Sequence, residues 1–372
     1  KLIAAAAAAL ALIALSCVPA SAETFDASPD YSYTPTSTGP LDVPWSLAVD
    51  ANGDVWVGSL AGRLRHLTFD AQGEIDSVSD CIVFDASDTS PLGVFGFDFD
   101  SNGNAFVATG PGGGGVGIVP ARELSHCQNG AHVLMTSSVS SPVPSDAKLH
   151  GDYLYVASGT NGVVEVYKVS PSLTLYAFVR VDMVSPNGIA IGDENFAVTE
   201  SHGNGALMQF AFADVEGHGD LTTPPTLSPT PVTSVQGVYP PTNGMSGLDY
   251  VAYGCLGTLI VTQPWSADFL PVIQFAADAT GSGPANIGAL AGVPSTLQSP
   301  QGIAFDHLGR MWLADSVTGE VTRFDTAFSC PAYDTKGGVL SNTGMWAGPL
   351  LALALLLVGA GVGLRYARRS IQ

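Results

Sequence analysis

Residues 299–316 read SPQGIAFDHLGRMWLADS, and residues 44–59 read PWSLAVDANGDVWVGS in the same pattern. Each copy has a short apolar segment, an Asp-x-x-Gly turn and a second apolar segment that carries a tryptophan. Two such segments joined by a tight turn are typical of paired antiparallel strands. Because the unit recurs along the chain, the sequence predicts a fold built from repeated β-sheets.

The repeats can be counted from the apolar residue at the centre of the second segment. It is found at six places, Val57, Val107, Val156, Val198, Val261 and Leu313. Successive copies are 50, 49, 42, 63 and 52 residues apart. A period of about fifty residues is what a four-stranded propeller blade needs. We therefore predict an all-β fold, a six-bladed β-propeller with four-stranded antiparallel blades.

The first and last repeats predict how the ring closes. The first has candidate strands at 46–50, 54–59, 63–69 and 81–85, whereas the last has them only at 302–306, 311–315 and 320–325. The segment from Glu23 to Leu41 could supply the missing strand and so cover an exposed sheet edge. A Pro/Thr-rich stretch near 221–244 reads as a surface loop between the fourth and fifth blades, because proline cannot donate ladder hydrogen bonds.

The two ends of the chain predict an exported protein with a membrane anchor. Residues 1–22 form a signal peptide with a short apolar run and the small-residue site Ala20-Ser21-Ala22. The propeller then covers 23–330, followed by a linker at 331–345. Residues 346–364 are uncharged over a length that spans a bilayer, and the tail at 365–372 contains three arginines, which gives a C-terminal transmembrane helix with a basic flank.

Charge narrows the choice of partners. Between the two ends lie thirty-three acidic residues against nine basic ones, a formal net charge of −24. A surface of that sign repels nucleic acid and anionic lipid, so neither is a predicted partner of the propeller. We predict a monomer that binds an unidentified ligand at the channel face and contacts the membrane through its C-terminal helix.

Four cysteines remain once the signal peptide is removed, which in an exported chain favours two disulfides. Four cysteines allow three pairings. We favour Cys81 with Cys127 and Cys255 with Cys330, because each pair would join neighbouring repeats.

Several phrases resemble known families. The phrase SPNGIA at 185–190 resembles the gluconolactonase (regucalcin-like) group of six-bladed propellers, and LADS at 313–316 resembles the NHL repeat. The segment VLSNTG at 339–344, followed by the apolar span, resembles the IPTL-CTERM sorting domains, and KGG at 336–338 resembles the GlyGly-CTERM class. The latter resemblances imply a bacterial cell-envelope location, either membrane-anchored or processed to the surface.

In such a propeller the first strand of each blade lines the central channel, and the residues just before it converge. They are Trp45, Phe95, Ser145, Asn187, Ser246 and Gln301, with Asn243 as the alternative in the fifth repeat. The gluconolactonase resemblance implies a calcium ion held from this position in four blades by a Glu, two Asn and an Asp. Asn187 matches that set, and Asp146 and Asp42 are neighbouring candidate ligands, since calcium prefers several oxygen ligands.

Two functions remain open at this point. The first is a binding or recognition module whose contact surface is the aromatic pair Trp45 and Phe95 at the channel face. The second is a calcium-dependent lactonase or esterase that uses Asn187 with Asp146 and Asp42. The catalytic residues of such an enzyme are not identified by the sequence.

Overall fold

The computed structural model describes the following residues: 25–26, 32–33, 43–70, 75–85, 93–110, 114–127, 130–141, 143–159, 162–202, 205–236, 247–254, 258–264, 272–275, 281–282, 287–289, 297–306 and 308–326. The strands in these ranges form six sheets, here numbered 1 to 6 from the N-terminus. Helix is confined to α1 (Ala121–Leu124) and a 3-10 turn at Phe212–Asp214 in the part of the chain described.

The first three sheets each have four antiparallel strands. Sheet 1 contains β3 (Pro44–Val49), β4 (Val55–Ser59), β5 (Arg63–Phe69) and β6 (Ile75–Asp85), with β10 (Ala131–Met135) parallel to β6. Sheet 2 contains β7 (Gly96–Phe99), β8 (Ala105–Ala108), β9 (Gly115–Val119) and β11 (Ser137–Ser140). Sheet 3 contains β12 (Pro144–His150), β13 (Tyr153–Ser158), β14 (Val163–Lys168) and β15 (Thr174–Arg180), with β19 (Thr226–Leu227) parallel to β15.

The last three sheets follow the same plan. Sheet 4 contains β16 (Ser185–Ile191), β17 (Asn195–His202), β18 (Leu207–Ala211) and β20 (Thr233–Gln236), with β24 (Gly281–Ser282) parallel to β20. Sheet 5 contains β21 (Val251–Tyr253), β22 (Leu259–Thr262), β23 (Val272–Phe275) and β25 (Ile287–Ala289). Sheet 6 contains β26 (Pro300–Phe305), β27 (Met311–Asp315) and β28 (Glu320–Thr326), with β1 (Phe25–Asp26) and β2 (Ser32–Tyr33) antiparallel to β28.

The first strands of the sheets meet one another in a closed ring. Contacts run in the order β3, β7, β12, β16, β21 and β26, and β26 then contacts β3. A separate apolar cluster lies between each pair of neighbouring sheets among the described residues. In β4, for example, Val55 and Val57 face sheet 6 while Trp56 faces sheet 2. Both faces of the strand are therefore buried, which explains its unbroken apolar sequence.

The Asp-x-x-Gly turns have a structural role. Oδ1 of Asp50 accepts hydrogen bonds from the backbone N–H groups of Asn52 (2.8 Å) and Asp54 (3.1 Å), while Oδ2 accepts one from the Trp56 indole (3.0 Å). Asp306 repeats this arrangement with the indole of Trp312. The glycine of the turn has φ near +80°, a conformation that side chains disfavour. The recurring phrase thus builds the hairpin between the first and second strands.

Most of the predicted organisation is present. All six counted residues lie in the second strand of a sheet. The strands of the first and last repeats start within two residues of the predicted positions, except that the fourth strand of sheet 1 begins earlier, at residue 75. The segment between Glu23 and Leu41 does pair with the last repeat, as predicted, through β1 and β2.

The Pro/Thr-rich stretch differs from its prediction. It was predicted as a surface loop near 221–244, yet it contributes β19 to sheet 3 and β20 to sheet 4. Proline lacks only the donor, and its carbonyl still accepts: Phe178 N–H bonds Pro225 O at 2.9 Å. Because β19 lies at a sheet edge, its neighbouring prolines interrupt no ladder.

Cys81 in β6 and Cys127 after α1 form a disulfide, in agreement with the predicted pairing. Their Cα atoms are 5.0 Å apart. Cys255 and Cys330 lie outside the described residues, as do the predicted signal peptide at 1–22, the predicted linker and the predicted span at 346–364. Within the described ranges, no helix has the length and apolarity needed to cross a membrane.

Candidate functional site

The register of the first two strands shows which residues occupy equivalent positions in the six sheets. Leu47 pairs with Val57, for example, and Val251 pairs with Val261 in the same way. The residue two places before the first-strand member of each such pair is the equivalent position. These six residues are Trp45, Phe95, Ser145, Asn187, Asp249 and Gln301. Together with Tyr250 they are called the axial site below.

The register assigns Asp249 to the fifth repeat, where the sequence alone suggested Ser246 or Asn243. Both of those residues lie outside the described ranges. A signal for Asp249 was present in the sequence. In the other repeats the equivalent residue stands eleven or twelve positions before the counted apolar residue, and Asp249 stands twelve before Val261.

Contacts between neighbouring sheets place these residues at one end of the ring. The Ser145 hydroxyl lies 3.1 Å from Pro186 O and 3.2 Å from Asn187 O in the next sheet. A Cβ on Gly188 would overlap the backbone of Asp249, and one on Gly302 would lie 2.8 Å from the Cα of Ser46. The strands pass so closely here that only a glycine fits at several of the contacts.

Trp45 and Phe95 form an aromatic pair on adjacent sheets. Their ring centroids are 5.5 Å apart and the ring planes are inclined by 52°. Both residues are half-buried, so each keeps part of its surface in solvent. The Phe95 ring lies against Gly93 and Gly110, where an added Cβ would crowd or overlap it. The lack of a side chain at these two glycines thus leaves room for the Phe95 ring.

Asn187 and Asp249 form a polar pair on the neighbouring sheets 4 and 5. The Asn187 amide donates to Oδ1 of Asp249 at 2.7 Å. Asp249 is 4% exposed, and burial raises the pKa of its carboxyl from 3.8 to about 7. Near neutral pH this carboxyl is therefore divided between its neutral and charged forms.

The Tyr250 side chain reaches from sheet 5 to sheets 2 and 3. Its hydroxyl lies within hydrogen-bond distance of Phe95 O on sheet 2 and is 3.2 Å from Ser145 O on sheet 3, although Tyr250 itself belongs to sheet 5. Its ring belongs to the apolar cluster against which Trp45 packs. Burial raises the pKa of this phenol well above its usual value, so the hydroxyl keeps its proton and donates to one carbonyl or the other.

A cluster of charged side chains, Asp146, Lys148 and Asp98, lies on the first strands just beyond the axial-site residues. Asp146 is fully buried and accepts hydrogen bonds at 2.9 Å from the N–H groups of Ala147 and Ile189. The Lys148 ammonium lies 3.7 Å from the Asp146 carboxylate. Burial raises the pKa of Asp146 to about 6, and Lys148 opposes that rise; the pKa of the nearby Asp98 is raised for the same reason.

The Lys148 ammonium also donates to main-chain carbonyls of two other sheets. It lies 3.1 Å from Phe97 O and 3.5 Å from Leu47 O. Sheets 1, 2 and 3 are thereby joined at one atom. This ammonium is surrounded by oxygens in the way that a bound cation would be.

The two candidate calcium ligands that are described, Asn187 and Asp146, each have other partners. The Asn187 amide is directed at Asp249, and the Asp146 carboxylate binds two N–H groups and faces Lys148. Asp42 lies outside the described residues. The calcium set drawn from the sequence stays a prediction.

A second group of residues could hold a metal ion. Asp50, Asp54 and His66 offer ligand atoms within 4.8 Å of one another. Oδ2 of Asp54 lies 3.0 Å from Nε2 of His66, while both oxygens of Asp50 are bonded within the hairpin turn. This group follows the end of β3, and the axial site lies at the start of that strand.

Replacing Asp249 with asparagine is expected to stabilise the fold increasingly as the pH rises. The folded-state pKa of Asp249 is raised, so the stability that its carboxyl contributes is present below pH 3.8 and is lost as the pH rises through about 7. Asparagine keeps the acceptor for Asn187 and does not ionise. The gain should reach the order of 2 kcal/mol by about pH 8, measured by urea unfolding across a pH series.

The matched control is Asp152→Asn, which alters an exposed carboxyl in the turn after β12. Its effect on the free energy of unfolding should be small, because it changes an exposed side chain. If the gain from Asp249→Asn were the same at every pH, Asp249 would have an ordinary pKa in the folded chain.

Comparison with known proteins supports the fold alone. No family model matches the sequence, and neither does any curated protein. Among solved structures, a Trichoderma reesei protein of Carbohydrate-Active Enzymes Family AA12 is similar, with 14% identity, a TM-score of 0.53 and coverage of 80% of this chain and 96% of that one. A PQQ-bound aldose sugar dehydrogenase from Streptomyces coelicolor is 13% identical, with a TM-score of 0.51 and coverage of 80% and 98%.

The PQQ domain of a pyranose dehydrogenase from Coprinopsis cinerea is 11% identical, with a TM-score of 0.52 and coverage of 79% and 97%. These proteins are β-propellers, and the similarity extends over nearly their whole length. The chain therefore has the β-propeller fold.

Proposed function

We propose that this chain is a six-bladed propeller that acts as a binding module through its axial site. The observation that carries the proposal is the axial site itself, where the aromatic pair Trp45 and Phe95 and the polar pair Asn187 and Asp249 are held at one end of the ring. Ligand sites commonly combine an apolar surface with a few placed polar groups.

The strand arrangement supports the proposed count of six blades. Six sheets are formed by the described residues, and their first strands contact one another in a closed order. Each sheet holds one copy of the repeat. The resemblance to the NHL-repeat and gluconolactonase-like group supports the same count.

The alternative function is a calcium-dependent lactonase or esterase. In that function the calcium ion would be bound by Asn187 and by Asp249, which the register puts at the equivalent position of the next sheet. Trp45 and Phe95 at the equivalent positions of sheets 1 and 2 supply no ligand atom. A site with two large apolar groups in place of oxygens suits binding better than metal-assisted hydrolysis.

A thermal-shift screen in excess calcium and in excess chelator separates the two functions. We expect calcium alone to leave the melting temperature unchanged, and any compound that stabilises the protein to do so equally in both conditions. Trp45→Ala should abolish that stabilisation, since it removes one wall of the site. A rise in melting temperature with calcium that Asn187→Asp abolishes would instead favour the hydrolase.

We propose further that the protein is an exported monomer of the bacterial cell envelope, held by the span at 346–364. The direction of the strands indicates at which end of the ring the chain leaves sheet 6. First strands begin at the axial site, and β28 runs in the same direction as β26, so that its last residue, Thr326, lies at the far end of the ring. The chain that leads to the predicted span therefore leaves sheet 6 at the end opposite the axial site.

A further inference from the structure

The two aromatic rings of the axial site form a wedge. Their planes are inclined by 52°, so they do not make one flat platform. An apolar group that lies between the two inclined rings contacts both of them. Tyr250 adds a third ring next to Trp45. The wedge therefore suits the apolar part of a ligand.

The axial site also contains a buried hydrogen-bond acceptor for which the described residues supply no donor. Gln301 is fully buried, and its Oε1 has no hydrogen-bond partner in the described part of the chain. Asp249 adds a carboxyl whose Oδ1 receives one bond from Asn187. A buried acceptor without a donor is costly. A ligand that supplies N–H donors would remove this cost.

The net charge of the chain favours a cationic ligand. The Lys148 ammonium, deeper along β12, is already engaged by Asp146, Phe97 O and Leu47 O. Residues between the two ends of the chain carry a net charge of −24. Such a field concentrates cations at the surface and repels anions.

We infer that the axial site binds a primary organic ammonium ion, with the apolar part of the ligand against Trp45 and Phe95 and the ammonium group directed at Asp249. This inference rests on the proposed binding function. The ligand class is defined by its chemistry, a small amine that is protonated at neutral pH. The charge-assisted bond to Asp249 distinguishes it from a neutral ligand of the same shape.

The inference is tested with three probes of similar shape and different charge, namely 2-phenylethylammonium, 2-phenylethanol and 3-phenylpropionate. Binding to the full chain is followed by calorimetry and by tryptophan fluorescence at about pH 8, where Asp249 is mostly ionised. We expect the ammonium ion to bind at least tenfold more tightly than the alcohol, and the carboxylate to bind least. Asp249→Asn should remove the preference for the ammonium ion over the alcohol.

Control variants separate the possible results. Asp152→Asn changes an exposed carboxyl elsewhere and should leave all three affinities unchanged. If the alcohol binds as tightly as the ammonium ion and Trp45→Ala abolishes both, the binding function stands and the ammonium inference is wrong. The inference is also wrong if Asp249→Asn leaves ammonium affinity unaltered, or if none of the probes binds. A calcium response together with absent binding would overturn the binding function as well.

Discussion

Alanine at position 188 is expected to destabilise the folded chain by about 3 kcal/mol or more, the upper range for overpacking a tight contact. The new Cβ would overlap the carbonyl oxygen of Asp249 and lie 2.7 Å from the Cα of Tyr250. Both are backbone atoms of the adjacent sheet, so no side-chain rotation can relieve the clash. Relief requires sheets 4 and 5 to separate, which also disrupts the Asn187–Asp249 bond. Urea unfolding of the variant measures the cost.

Gly151→Ala is the matched control. Gly151 has a φ of +55° and nothing within 4 Å of an added Cβ, so its replacement incurs only backbone strain of about 1 kcal/mol. Equal losses in the two variants would show that sheets 4 and 5 are not in close contact at Gly188.

Lys148→Met is expected to cost about 3 to 5 kcal/mol at pH 8, the range for removing one partner of a buried ion pair. The variant leaves Asp146 buried without a cation and removes the bonds to Phe97 O and Leu47 O. Lys148 lowers the pKa of Asp146, so that pKa should rise further in the variant. Because a carboxyl with a raised folded-state pKa loses its stabilising contribution as pH increases, the cost should be smaller at about pH 5.

Adding Asp146→Asn to Lys148→Met should recover much of the loss at pH 8, since the second change removes the stranded charge. Chemical unfolding of the two single variants and the double variant forms a double-mutant cycle. A cost that is independent of pH and additive in the cycle would mean that Lys148 acts only through packing.

The fold was predictable because its main determinants are local and repeated. Asp50 and Asp306 bond the backbone two and four residues ahead and an indole six residues ahead, and such spacings can be read directly from a sequence. The pairing of the N-terminal segment with the last repeat followed from a missing strand. The edge strand β19 was missed because the prolines around it indicated a loop, although the backbone carbonyls there can still accept hydrogen bonds.

Less of the axial site could be predicted. Asp249 was missed because the fifth repeat reads Leu-Asp-Tyr at 248–250, where the fourth and sixth repeats read Pro-Asn-Gly and Pro-Gln-Gly. Tyr250 stands where most of the other sheets have Ser or Gly, and its partners are carbonyls across the ring. Lys148 likewise bonds main-chain oxygens of distant strands. Every residue has a main-chain carbonyl oxygen, so contacts with these oxygens leave no pattern in the amino-acid sequence.

The pairing of β1 and β2 with β28 also determines the order in which the molecule can assemble. Phe25 is the partner of Thr326, so sheet 6 is complete only when the first described strand has paired with the last one. During synthesis, the pairing of β1 and β2 with β28 can form only after β28 has been made. Removing β1 and β2 would leave β28 as an unpaired edge of sheet 6.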